Sequence, residues 1–138
     1  MTRVMRIILF TLLLSAAAAR ADIAIVINSD SDVQQINRSE AINIFMGRYR
    51  KLPDGSVALP IDQTPLRARF YRSLVNKEMA EINSYWARLV FSGQSSPPQQ
   101  AASTIELVDI ITHNTNALGY IDSDQVPASM RVLMTLRE

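Results

Sequence analysis

The chain has 138 residues, with 14 basic and 13 acidic side chains, one histidine and no cysteine. The lack of a thiol excludes disulfides, thiolate metal sites, cysteine nucleophiles and a lipid attached to cysteine. The near-balance of charge argues against a nucleic-acid-binding protein, which normally carries a strongly basic face. The chain is long enough to bury a core of its own, so we expect one domain.

The N-terminus has the pattern of a secretory signal peptide. Two arginines precede an apolar run from Ile7 to Ala18, and the small-residue pattern A-R-A of a cleavage site ends at Ala21. The apolar run is shorter than the about 20 residues that a transmembrane helix needs. We therefore expect residues 1–21 to be removed and residues 22–138 to form a single exported domain without a membrane span. Three of the 14 basic residues lie in the signal peptide, so this domain has a net charge of about −2.

The first part of the domain predicts a strand, a helix and a second strand. Ile23 to Asn28 is a run of mostly β-branched apolar residues, which is typical of a strand buried on both faces. Asn37 and Glu40 fit a capping box at the start of a helix, and Gly47 fits the end of that helix. The second strand is expected from Val57 to Ile61.

The stretch that follows the second strand combines several groups suited to anion binding. Pro60 suits a strand end, Thr64 suits a helix N-cap and Pro65 suits the first helical position. Free backbone N–H groups at such a junction commonly bind anions. Gln63 adds an amide, and Arg67, one turn into the helix, adds a planar two-donor group. The same pattern also fits an ordinary capped helix with a surface arginine.

The rest of the domain predicts two more helices and a linker. Asn76 is expected to cap a helix from Lys77 to Phe91. The buried stripe of this helix is expected to consist of Met79, Ile82, Trp86 and Leu89, with Val90 beside it. Ser95 to Ala102 is expected to be a surface linker, because its two prolines block helix and sheet pairing. Ser103 and Glu106 fit a second capping box.

Short strands are expected at Ala117 to Ile121 and Arg131 to Leu136. Apolar strands that alternate with helices favour an α/β fold, arranged as a three-layer sandwich with a mixed, partly parallel sheet. The basic group at residues 48–51 either faces an acidic partner or forms a solvated turn.

The other chemically versatile residues fit structural roles. His113, the single histidine, falls at the end of a predicted helix, where a partly protonated imidazole interacts well with the helix dipole. Asp30 with Asp32, and Asp122 with Asp124, lack the further oxygen ligands and closing glutamate of a calcium loop. No metal or cofactor is therefore expected, and the lack of a catalytic motif argues against an enzyme.

Five short segments form a series along the chain. They are S-E-A-I-N-I-F-M-G-R from Ser39, L-P-D-G-S-V-A-L-P-I-D from Leu52, F-Y-R from Phe70, Y-W-A-R-L-V-F-S-G from Tyr85 and A-L-G-Y-I from Ala117. In this order they resemble PstS-type phosphate-binding proteins. The resemblance is closest to the short, single-lobe proteins named phosphate ABC transporter substrate-binding proteins, and it extends from about Ile23 to Ile121.

This resemblance implies one lobe of a periplasmic-binding-protein fold, a periplasmic location, and phosphate or another small oxyanion as ligand. Full-length members hold phosphate between two lobes at a loop rich in Ser, Asp, Gly and Thr. The matching place here is Asp62 to Arg67, which has no glycine. We expect Gln63, Thr64 and Arg67 to bind the ligand, and a membrane transporter or sensor protein to be the partner. The alternative is a periplasmic protein-interaction or sensor-accessory module that has lost ligand binding.

Overall fold

The computed structural model describes residues 21–138, and this part of the chain contains five β-strands and four α-helices. The strands are β1 (Ile23–Asn28), β2 (Leu59–Gln63), β3 (Gln99–Ala101), β4 (Ala117–Asp122) and β5 (Met130–Leu136). The α-helices are α1 (Arg38–Phe45), α2 (Arg67–Val75), α3 (Met79–Phe91) and α4 (Thr104–His113), and single-turn 3₁₀ helices span Thr64–Leu66 and Ser123–Gln125. The predicted signal peptide lies outside the described residues except for Ala21.

A mixed sheet with the strand order β3-β2-β4-β1-β5 forms the centre of the fold. β2 runs parallel to both β3 and β4, whereas β1 is antiparallel to both β4 and β5. The two strands that flank β1 are therefore the last two in the sequence. The predicted α/β fold with a mixed, partly parallel sheet is confirmed.

Helices cover both faces of the sheet, as the apolar character of β1 predicted. Ile23, Ile25 and Ile27 are buried in a core with α1, α2 and α3. Ala24 and Val26 are buried in a second core, with α4 on the opposite face. Side chains alternate between the faces of a strand, so a strand that is apolar at every position must be covered on both sides. The three-layer arrangement follows directly.

The predicted cap of α1 is confirmed, whereas that of α3 is wrong. Asn37 accepts a hydrogen bond from the backbone N–H of Glu40, whose carboxylate accepts one from the N–H of Asn37. Asn76 does not start α3 but ends α2, in the left-handed conformation with φ 54°. Asparagine tolerates this conformation better than most residues, so it suits either end of a helix.

The stretch predicted to be a linker contains the short strand β3, which pairs in parallel with β2. Only Ala101 of this strand is buried, so the strand has no apolar pattern that the sequence could reveal. Ser103 then caps α4 by accepting from the N–H of Glu106, as expected. The carboxylate of Glu106 accepts from Ala102.

Two predictions of detail also need correction. Val90, placed beside the buried stripe of α3, is 54% exposed. Ile82 and Trp86 are the buried residues of this helix, because its C-terminal end projects beyond the core. Pro60 is the second residue of β2 and does not end it. The missing N–H is tolerated, since β2 pairs with β3 only from Ile61 onwards.

Arg69 links the two ends of the described chain. Its guanidinium donates to the carbonyl of Ala21 and to the carboxylates of Asp122 and Glu138. Ala21, the last residue of the predicted signal peptide, thus lies beside the C-terminal residue. Among residues 21–138, no helix is both long enough and apolar enough to cross a membrane.

Candidate functional site

The adjacent parallel strands β2 and β3 are followed by helices on opposite faces of the sheet. α2 follows β2 and packs through Phe70 into one core, whereas α4 follows β3 and packs through Leu107 into the other. In open α/β sheets, this divergence leaves a crevice outside the carboxyl ends of the strands, where ligands usually bind. The rule places this crevice where β2 and β3 end, with Gln63 and Thr64 on one side and Ser103 on the other, and we call this place the β2/β3 crevice.

The side chain of Gln63 is buried beneath the β2/β3 crevice and does not reach its surface. Its side-chain amide donates to the carbonyl of Tyr120 at 3.0 Å, and its carbonyl oxygen accepts from the hydroxyl of Thr104 at 2.9 Å. The residue is buried, and these bonds join β2, β4 and α4. The amide and carbonyl groups of this side chain, which was predicted to contact a ligand, are therefore already hydrogen-bonded within the protein.

Thr64 is exposed at the mouth of the β2/β3 crevice. The prediction that its hydroxyl caps a helix is wrong. The hydroxyl donates to the side-chain oxygen of Gln100 at 3.3 Å. The reason is that a 3₁₀ turn with Pro65 in its first turn separates β2 from α2, which begins only at Arg67. The N-cap position of α2 is Leu66, which has no side-chain cap bond.

Arg67 lies at the start of α2, where its guanidinium bridges two elements. Nε donates to Asp62 Oδ2 at 3.2 Å, and Nη1 donates to Asn83 Oδ1 of α3 at 3.3 Å. Within the part of the chain that the structure describes, Nη2 has no hydrogen-bond partner. The cation is thus partly neutralised and also lies over the ring of Tyr71, 5.9 Å from its centroid, while Nη2 remains available as a donor.

Asp62 is the centre of a polar network inside the larger core. Its side chain is fully buried, and its Oδ1 accepts from the hydroxyls of Tyr71 at 2.8 Å and Tyr120 at 3.0 Å. Oδ2 accepts from Arg67 and, at 3.4 Å, from the amide of Gln100. A buried carboxylate needs this set of donors, because an unpaired charge in a core is strongly unfavourable.

The network favours different protonation states for its members. Burial raises the pKa of Asp62, while the hydrogen bonds from Tyr71 and Tyr120 and the charge of Arg67 act in the opposite direction. Burial also raises the pKa of both tyrosines, and the charge of Asp62 raises it further. Both hydroxyls therefore remain donors at ordinary pH. Asp62, whose carboxylate accepts from both hydroxyls, is therefore the member of this network that can take up a proton.

Sequence reasoning placed three residues near one another but missed Asp62 and its tyrosine partners. The structure brings Gln63, Thr64 and Arg67 to the same end of β2, although only the last two reach the surface. A signal for the network was present. An aspartate that directly follows a run of apolar strand residues, with an arginine five residues later, indicates a paired buried charge.

The remaining candidates have local structural contacts. His113 Nδ1 donates to the carbonyl of Asp109 at 2.8 Å, one turn earlier in α4. Arg50 donates to the carbonyls of Ile44 and Ser96, so this member of the basic group joins the end of α1 to the loop that follows α3. No group of three or more His, Cys, Asp or Glu residues within residues 21–138 could hold a metal ion.

Comparison with known proteins identifies relatives by fold. No family model matches the sequence, and a search of curated proteins gives no match. Among solved structures, an ABC-type phosphate transport receptor from Vibrio cholerae superimposes with a TM-score of 0.64 at 16% sequence identity. It covers 83% of this chain and 46% of the receptor.

A second solved structure gives the same result. A putative phosphate ABC transporter substrate-binding protein from Clostridium perfringens, solved with bound phosphate, has a TM-score of 0.63 at 15% identity. The match covers 83% of this chain and 45% of that protein. The chain thus has the fold of phosphate receptors over somewhat less than half of their length.

Proposed function

We propose that the chain is an exported, non-enzymatic binding protein that captures a small oxyanion, phosphate first of all, at the β2/β3 crevice. One observation carries the proposal: the divergence of α2 and α4 places Thr64 and Arg67 where α/β sheets usually bind ligands. The fold shared with phosphate receptors, one of them solved with bound phosphate, supports the same class of ligand. The same comparison and the predicted signal peptide ending at Ala21 support a periplasmic location.

The exposed groups at the crevice have suitable chemistry for an oxyanion. Nη2 of Arg67 has no hydrogen-bond partner among the described residues and can donate to one oxygen of the ligand, and the exposed Thr64 can donate its hydroxyl after giving up the 3.3 Å bond to Gln100. Gln63 would meet the ligand only through its backbone, because its side chain is held inside. A few such contacts at an open edge give weak binding, with a dissociation constant of about 1 mM.

Tighter binding needs a second surface over the crevice. Small-molecule sites usually bury most of the ligand, whereas Thr64 and its neighbour Pro65 are exposed. We propose that a membrane transporter, a sensor protein or a lobe supplied by another chain completes the site. The match to somewhat less than half of each phosphate receptor supports this arrangement.

Calorimetry of the exported protein against phosphate and sulfate at low ionic strength tests the proposal. We expect binding that the double variant Thr64→Ala, Arg67→Ala loses. Arg72→Ala is the matched control, because Arg72 is an exposed arginine of the same helix that pairs with Glu78 away from the crevice. Binding that persists in the double variant, or that is absent in the native protein with its partner present, would refute the proposal.

The second candidate function is a protein-interaction or sensor-accessory module without a ligand. Two observations favour it: Asp62 partly neutralises Arg67, and Ile105 beside the crevice is 84% exposed. Cross-linking in the cell envelope separates the two functions. A partner captured by the native protein and by the double variant Thr64→Ala, Arg67→Ala, but not by Ile105→Ser, would favour the module.

A further inference from the structure

The guanidinium of Arg67 lies between the carboxylate of Asp62 and the proposed oxyanion. Arg67 Nε is 3.2 Å from Asp62 Oδ2, so an anion that accepts from Nη2 of the same guanidinium lies close to a buried negative charge. At a separation of roughly 6 Å and an effective dielectric constant of about 20, repulsion between two unit charges lowers affinity by about 100-fold. The repulsion disappears when the carboxyl group is neutral.

We propose that oxyanion capture at the β2/β3 crevice is coupled to the uptake of one proton by Asp62. In the empty protein, the carboxylate holds Arg67 as an internal ion pair. When an anion binds, it takes over the guanidinium, and Asp62 gains a proton from solvent. This inference rests on the proposed oxyanion function and adds a regulatory device to the same site.

The surroundings of Asp62 make it the proton acceptor. α2 contributes Arg67 and Tyr71, β4 contributes Tyr120, and β3 contributes the uncharged Gln100. The tyrosines stay protonated, since burial and the neighbouring carboxylate raise the pKa of each. Guanidinium groups do not lose their charge in proteins. Arg50 acts on Asp62 only through space and is itself held by backbone carbonyls.

A neutral Asp62 also keeps its hydrogen bonds. A protonated carboxyl still has acceptor positions for Tyr71 and Tyr120, and its O–H can donate towards the side-chain oxygen of Gln100 after a flip of that amide. Burial raises the pKa of Asp62 and so already favours the protonated carboxyl group.

Sulfate is the probe of choice, because it stays a dianion throughout the range from about pH 5 to pH 8 and so reports only protein groups. We expect its affinity to rise as the pH falls, by up to about 10-fold per pH unit above the pKa of Asp62. Calorimetry in buffers of different ionisation enthalpy should show proton uptake, approaching one proton per sulfate at a pH where Asp62 is ionised in the empty protein and neutral in the sulfate-bound protein. This measurement uses the native protein with its partner if one is required.

Variants identify the responsible group. Asp62→Asn mimics the protonated state and should bind sulfate with a pH-independent affinity, without proton uptake. Asp124→Asn, an exposed aspartate outside the crevice, and His113→Asn, which removes the single histidine, should behave like the native protein. If Asp62→Asn fails to fold, the number of protons taken up per sulfate by the native protein still tests the inference.

The outcomes separate this inference from the proposed function. Sulfate binding without pH dependence and without proton uptake overturns the inference and leaves oxyanion binding in place. Binding of phosphate with rejection of sulfate also overturns the inference. That selectivity would mean that Asp62 stays ionised and accepts a hydrogen bond from the P–O–H group of phosphate, which sulfate lacks. Binding of neither anion at any pH overturns the proposed function together with the inference.

Discussion

Replacing Tyr71 by phenylalanine removes one of the two hydroxyls that donate to Asp62. The hydrogen bond is 2.8 Å long and lies inside the core. A hydrogen bond to a charged group contributes about 1.5–3 kcal/mol to stability, and one between neutral groups about 0.5–1.5 kcal/mol. We therefore expect Tyr71→Phe to lower the free energy of unfolding by about 2 kcal/mol at the pH values where the carboxylate is ionised, and by about 1 kcal/mol where the carboxyl group is neutral.

The direction of this pH dependence follows from linkage. Burial raises the folded-state pKa of Asp62, so the contribution of this group to stability is fully present below its unfolded pKa. That contribution is lost as the pH rises through the folded-state pKa. Tyr71→Phe raises the folded-state pKa further, because the ionised form loses a donor, and the loss at neutral pH grows by about 1.4 kcal/mol per unit.

Urea unfolding of both proteins between pH 4 and pH 8 measures the effect. Tyr85→Phe is the matched control, since the hydroxyl of Tyr85 donates to the neutral carbonyl of Met46 at 2.7 Å. Its cost should be about 1 kcal/mol at every pH. A cost of Tyr71→Phe that does not change with pH would show that Asp62 does not ionise in this range, and the reasoning would be refuted.

Two further predictions concern the backbone. Gly47→Ala should lower the free energy of unfolding by about 2–4 kcal/mol, because Gly47 has φ +68° and a Cβ there would lie 2.5 Å from Ser95 Oγ and 2.8 Å from Trp86. Gly55→Ala, at φ +87° with open space around it, should cost only about 1 kcal/mol in the same urea titration, and equal costs would contradict the packing argument. Asn37→Ala should cost about 1 kcal/mol by removing the N-cap of α1, whereas Asn37→Ser should restore most of it; a neutral result for alanine would show that the cap adds nothing.

The fold was predictable where burial leaves a pattern in the sequence. β1 is apolar at five successive positions, from Ile23 to Ile27, and this alone required helices on both faces of the sheet. β3 was missed for the opposite reason, since its two glutamines are exposed and its pairing depends on β2 lying alongside. Asn76 was assigned to the wrong helix because one residue type serves both helix ends.

The candidate site was predictable only in part, because its chemistry depends on residues distant in sequence. The motif from Gln63 to Arg67 located the correct end of β2. Tyr71 and Tyr120, however, come from different elements, and only the fold brings both hydroxyls to Asp62. The engagement of Gln63 by Tyr120 and Thr104 likewise depends on β4 and α4. Local patterns thus indicated which residues have suitable chemistry, but not which of them the protein already uses.

The position of β1 has a consequence for how the chain acquires its structure. This strand is synthesised first, yet both of its neighbours, β4 and β5, belong to Ala117–Leu136. Such long-range pairing must close a loop of most of the domain before it gains any contacts, and folds of this kind form slowly. The proposed export would suit this order of folding, because β1 would find its two partners only after Ala117–Leu136 had crossed the membrane.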